Sequence, residues 1–435
     1  MRKILIVALF AALCSPARGA DTPMFRGDLD HTGVYDSPPV AQAAHVKWAF
    51  HTRGYVNSSP VVANSVVYVG SADDNMYALD ETTGKSLWHF KTGSRVVSSP
   101  AIWRSAVYFG SYDGNFYALS ANDGKLLWKF KTGGERRFEG THLHGSQPVD
   151  ETMPDPFDVY LSSPAIWHET VYFGSGDGHV YALNAKTGEK LWSFKTGDIV
   201  HASPAIDNGT LFVGSWDSYF YALDALSGKM RWRFKTGVDP DIHNQVGIQS
   251  SAAVMDGTVF FGCRDSHLYA LDEQTGDKKW SLDMHGSWVI GSPAVRDGKV
   301  YFATSDSGLF YAVNAGDGSI VFSEDFHGWP EFASPAVAGD MLYLGSWRGV
   351  LTAIDLTKRQ TAWSFQTDAS KRLGPDLTKA DGSPNYAPAY ASDFYDDLIT
   401  GFARMMTVGA FLSSPAIDDG VIFVGSTDGN VYALD

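Results

Sequence analysis

Cysteine is all but missing from this sequence. There are two in 435 residues, Cys14 and Cys263, and Cys14 lies in a leader that export would remove. No internal disulfide can then form, so the fold must be held by burial, which a chain of this length can supply. Basic charge is scarce too: 34 Lys and Arg stand against 49 Asp and Glu, a formal charge of −15. Loss of Arg2, Lys3 and Arg18 with the leader takes it to about −18. Such an acidic surface repels phosphate backbones, which argues against nucleic acid as a partner. Apolar runs long enough to cross a membrane are missing everywhere, so no transmembrane segment is expected.

The chain does begin with a secretory signature. A basic Arg2-Lys3 start, an apolar run from Ile4 to Cys14 and small residues around Ala17, Gly19 and Ala20 read as a signal peptide over residues 1–20. Leu13 stands before Cys14, where a lipobox wants a small side chain, so lipidation is the lesser expectation. The mature protein is expected to be periplasmic or secreted.

What the sequence has in abundance is a repeat. Ser162 to Gly197 reads as four short strands, A to D: SSPAIW, TVYFGS, HVYALN and LWSFKT. The separators are turn chemistry, Gly176-Asp177-Gly178 between B and C and Thr187-Gly188 between C and D. Ser-Pro pairs at Ser59, Ser99, Ser163, Ser203, Ser292, Ser334 and Ser414, with Ser251-Ala252 in the remaining copy, mark eight repeats. A period near 40 residues with four strands per unit predicts an all-β, eight-bladed β-propeller of four-stranded antiparallel blades. Trp88, Trp128, Trp192, Trp232, Trp280 and Trp363 begin D strands, with Phe322 in the sixth unit. The last unit ends at Asp435 without a D strand, which VKWAFHT from Val46 to Thr52 can supply, closing the ring and removing exposed edges. The propeller then spans residues 46–435, and residues 21–45 are expected to be an extended lead-in packed along the disk.

The runs ALNAKTGEKLW (Ala182 to Trp192), ALDETTGKSLW (Ala78 to Trp88), ALSANDGKLLW and ALDALSGKMRW resemble the tryptophan-docking motif of the PQQ-like propellers. That superfamily includes the quinoprotein alcohol dehydrogenases and the outer-membrane assembly factor BamB. The resemblance implies the fold; it leaves function open, since one fold hosts many sites. In physical terms a flat indole packs between adjacent sheets, and the Thr-Gly turn lets a neighbouring backbone come close.

Extra chain occurs at Gly134 to Tyr160, Val238 to Gln249 and Asp368 to Leu412, always between strand D of one blade and strand A of the next. Strand alternation sends D-to-A and B-to-C connections to one face, so the insertions should crowd one rim, where binding is expected. His142 and His144, in a His-x-His that extended chain would aim the same way, are candidate ligands for a transition metal, although no closed ligand set is visible. The departures from repeat symmetry nominate a ligand site: His201, His243, Asn244, Gln245, Gln249, Arg264, Asp265 and Trp288, polar fingers beside flat apolar walls. Trp216, Trp329 and Trp347 belong to the same rim. The recurring Asp of the B-to-C turns (Asp73, Asp113, Asp177, Asp217, Asp265, Asp306, Asp428) is read as hairpin chemistry, and the serines before each Pro or Ala252 as architecture, because both recur in register.

Two function classes follow. One is an exported, non-catalytic, BamB-like binding scaffold that presents its loop-rich face to an envelope protein or small molecule. The other is a PQQ-dependent oxidoreductase, with the quinone and Ca2+ at the channel mouth. Against the second, Cys263 stands alone where many quinoprotein dehydrogenases use adjacent cysteines, and no residue matches their calcium ligands or catalytic Asp.

Overall fold

Apolar residues run unbroken through strands B and C of each repeat, which suits strands covered on both faces. In the computed structural model, which describes residues 23–238 and 246–435, they are. Thr170–Gly174 is buried throughout, whereas the outer strand Lys190–Lys195 alternates and stays largely exposed. Seven antiparallel sheets span residues 61–91, 101–131, 165–195, 205–235, 253–283, 294–325 and 336–366. The eighth blade joins residues 416–434 to Val46–His51, which pairs antiparallel with Asn430–Leu434. An N-terminal strand therefore closes the ring, as the missing D strand demanded.

The indoles dock each blade to the next. Trp88 Nε1 donates to Ala121 O at 2.9 Å and Trp192 Nε1 to Ala225 O at 3.0 Å, and the facing turn needs glycine: a Cβ on Gly124, at φ +68°, would lie 2.7 Å from the Trp88 ring. In the seventh blade the acceptor is Val40 O of the lead-in instead.

The repeated serines form a closed hoop around the channel. Each backbone N–H donates to the Oγ of the serine in the next blade, from Ser59 through Ser99, Ser163, Ser203, Ser251, Ser292, Ser334 and Ser414 back to Ser59, at 2.8–3.0 Å. Strand A is an inner edge with no ladder partner, so this hoop satisfies amides that would otherwise be buried unpaired.

The lead-in does more than lie along the disk. Its carbonyls at Pro23, Leu29, Asp30, Thr32 and Gly33 accept from Ile102, Ile206, Val254, Val295 and Val337, all in A strands near the A-to-B turns. It thus crosses the channel at the bare face, and the buried Arg26 donates to Pro293 O and Pro335 O. Val34–Tyr35 then adds a parallel strand to Ala336–Ala338. The insertion 368–412 contains two α-helices: α1 (Asp368–Leu373), N-capped by Thr367, and α2 (Tyr395–Met406).

Candidate functional site

Two of the insertions meet over the channel mouth. Residues 139–141 and 152–154 form a hairpin, Gln147 N donates to Asp393 O, and Tyr395 Oη donates to Pro154 O. His243, Asn244 and Gln245, in the second insertion, lie outside the described residues.

The segment after the hairpin is clasped to the blades below. His201, fully buried, places Nδ1 2.7 Å from Asp158 Oδ1 and Nε2 3.6 Å from Glu135 Oε2. Burial opposes charge on the imidazole, but the two carboxylates win and push its pKa up to about 9. Gln249 Nε2 donates to Phe157 O at 3.1 Å, and Tyr160 Oη to Leu412 O at 3.0 Å. Arg264 sets Nη1 2.7 Å from Asp155 Oδ2, its guanidinium between the Trp216 and Trp288 rings at 4.7 and 4.1 Å. Burial would raise Asp155, yet Arg264 and His144 hold it well below the usual carboxylate range. Beneath this cap the channel keeps a space of about 40 Å³ between the serine hoop, Phe25, Tyr160, His201 and Gln249, room for a few waters.

The nominated residues therefore do not share one cavity. His201 and Gln249 belong to the channel wall, Arg264 is locked into the cap, and Asp265 accepts from Gly237 N and Tyr269 Oη within its hairpin. Of the nominated residues that are described, Trp288 alone lines the cavity of about 350 Å³ beside the cap. The extended geometry expected of His142 and His144 is not adopted. Both residues have positive φ, 53° and 57°, around a 3-10 turn, and the rings go separately to Ser146 O and Asp155 Oδ1. Among the described residues no three His, Cys, Asp or Glu side chains come together as a metal-holding group.

Two of the cavities on this face lie against the cap and helix α2. The first, about 350 Å³, lies between the cap, blades 6 and 7 and residues 386–398, walled by Phe157, Trp288, Phe332, Trp347, Tyr386 and Tyr390, with His144 and Asp306 as its ionisable side chains. The second, about 400 Å³, runs under α2 and sets Arg95 and Arg137 against Val159, Ile399, Phe402 and Met406.

Asp306 is the residue that repeat logic misassigned. In six blades the turn Asp accepts from the hydroxyl of a Tyr four residues on, as Asp73 does from Tyr77 at 2.7 Å, and Asp113, Asp177, Asp217, Asp265 and Asp428 likewise. The sixth blade's turn is one residue longer, from Ala303 to Leu309 where the first blade goes from Gly70 to Asn75. Asp306 is thereby released from its hairpin tyrosine, and its side-chain donor among the described residues is Ser305 Oγ, at 3.0 Å. The carboxylate stays open to solvent at the cavity, although its surroundings desolvate it enough to raise its pKa.

A quinone with a divalent cation can be tested against these residues. The tricarboxylate needs cationic partners and the metal needs carboxylates or imidazoles. The cavity with Asp306 has no arginine or lysine in its wall, and the cavity with Arg95 and Arg137 has no Asp, Glu or His. Cys263 is buried, donates to Gly247 O, and burial raises its pKa far above that of a free thiol. The residues present do not fit the group in either cavity.

The sequence profile of the outer membrane protein assembly factor BamB family matches residues 40–153, 158–287 and 264–435, and the chain belongs to that family. No curated protein matches it in sequence. Among solved structures it is similar to BamB from Moraxella catarrhalis, at 15% identity over 90% of this chain and 98% of that one, with a TM-score of 0.63. It is also similar to the quinohemoprotein alcohol dehydrogenase from Comamonas testosteroni, at 15% identity over 95% and 80% of the two chains, TM-score 0.69. A europium-containing methanol dehydrogenase gives 15% identity over 95% and 98%, TM-score 0.69. These likenesses show the fold.

Proposed function

We propose that this member of the BamB family is an exported, non-catalytic binding propeller whose loop-rich face holds a protein or envelope ligand. One observation carries the reading: the groups a quinone-metal centre would need together are divided between two cavities. His201, Gln249 and Arg264 act, in this reading, as the clasp that holds a preformed binding surface, with Trp288 as part of its wall. Such a surface is pre-organised, so little ordering is left to offset on binding. Val149, Tyr386 and Phe394 stand exposed on the cap beside it.

The test is reconstitution of the mature protein with PQQ and Ca2+, followed by a dye-linked alcohol assay. The expected result is no retained quinone absorbance and no turnover. Stoichiometric quinone with sustained turnover would replace the binding reading with an oxidoreductase.

A further inference from the structure

The cavity walled by six aromatic rings carries one carboxylate that the fold does not use. Its sisters in the other blades are consumed by their own hairpins, whereas Asp306 has one hydroxyl donor and, among the described residues, no cation within ion-pair distance. The nearest cations are spoken for: Arg264 is paired with Asp155, and the imidazole of His144 bonds to the same carboxylate. Asp306 stays open to solvent at a cavity with aromatic walls, where a cation can reach it. The faces themselves add attraction for a cation, since the ring quadrupole is negative above its plane.

The net charge of −15 would also raise the local concentration of cations at this rim. A volume of about 350 Å³ falls within the range of small-molecule sites.

Resting on the reading of this face as a binding surface, we propose that the Asp306 cavity takes an organic cation: an ammonium group on a small apolar body, set against Asp306 and the faces of Trp288, Trp347, Tyr386 and Tyr390. Asp306 supplies charge, and the rings select against hydrated metal ions, which would lose their water to apolar walls.

The probe is benzyltrimethylammonium, compared with the uncharged isostere in which carbon replaces nitrogen, each titrated calorimetrically into the mature protein at neutral pH. The expected result is saturable binding of the cation and none of the isostere. Asp306→Asn should weaken the cation roughly tenfold to a hundredfold, and Tyr386→Ala, at the half-open rim, roughly two- to fivefold. Binding should also fall as acid protonates Asp306, beginning above the ordinary carboxylate range. Equal binding of both probes overturns the cation assignment while leaving the face a binding surface. Absence of binding by either probe, or an Asp306→Asn variant as tight as the parent, also overturns it. Failure of the wider reading looks different, as quinone-dependent turnover.

Discussion

His201 should make the cap pH-sensitive, and the sign is fixed by its partners. Its pKa rises from 6.5 to about 9 on folding, so the folded state binds the proton more tightly than the unfolded one. The stabilisation is complete below pH 6.5, declines between 6.5 and about 9, and is gone above that. At ~1.4 kcal/mol per pH unit the rise is worth about 3 kcal/mol, and the side chain is wholly buried, so solvent does not dilute it. The assay is urea unfolding across that window for the parent and His201→Gln, with amide exchange of residues 155–161 as the local readout. His267, raised by Asp265, slopes the same way in both proteins and cancels in the difference. Glu135→Gln keeps the Asp158 contact and should narrow the window, which protects the test if His201→Gln folds poorly. Parallel pH curves for parent and both variants would refute the ion-pair account of the clasp.

Two further outcomes probe the ring itself. Ser203→Ala removes the acceptor of the Ser163 N–H, a 2.9 Å bond in the hoop, and should cost about 1–3 kcal/mol in chemical unfolding; Ser227→Ala, in an exposed turn, should cost much less. Gly124→Ala and Gly257→Ala share nearly the same backbone, φ +68° and +70°, but only the first directs a Cβ at an indole. Both should lose about 1–2 kcal/mol to the left-handed conformation. Gly124→Ala should lose at least ~1 kcal/mol more and shift Trp88 fluorescence, and equal losses would deny the docking contact its role.

The parts of this protein that repeat were legible, because each copy corroborates the others. Strand count, ring closure by Val46–His51, docking by Trp88 and its equivalents, and the structural nature of Ser203 and its sisters all follow from residues recurring in register. The cap is aperiodic and offered no such check. The Asp158–His201 contact joins an insertion to a blade connection 43 residues away, and no local pattern announces it. The His142-x-His144 spacing misled because it presumed extended chain where the backbone turns left-handed. Helix α2 did carry a signal, Leu398, Phe402 and Met405 on one face. Gly401 in its middle is a poor helix former, and Tyr390 packs there at a distance that leaves no room for a Cβ.

Asp306 shows why register matters more than residue type in reading a repeat. Symmetry argues that a residue present in every blade serves the scaffold, and by type Asp306 is such a residue. The argument holds only if each copy also keeps its spacing to the partner that uses it. The tyrosine follows the aspartate by four positions in six blades, but Tyr311 follows Asp306 by five. That single added residue breaks the hydrogen bond, frees a carboxylate and turns it to a cavity walled by aromatic rings. In a propeller, then, the departures that carry function include changes of spacing within a conserved-looking turn. They can be counted in the sequence, provided the count runs from both flanking strands instead of from one.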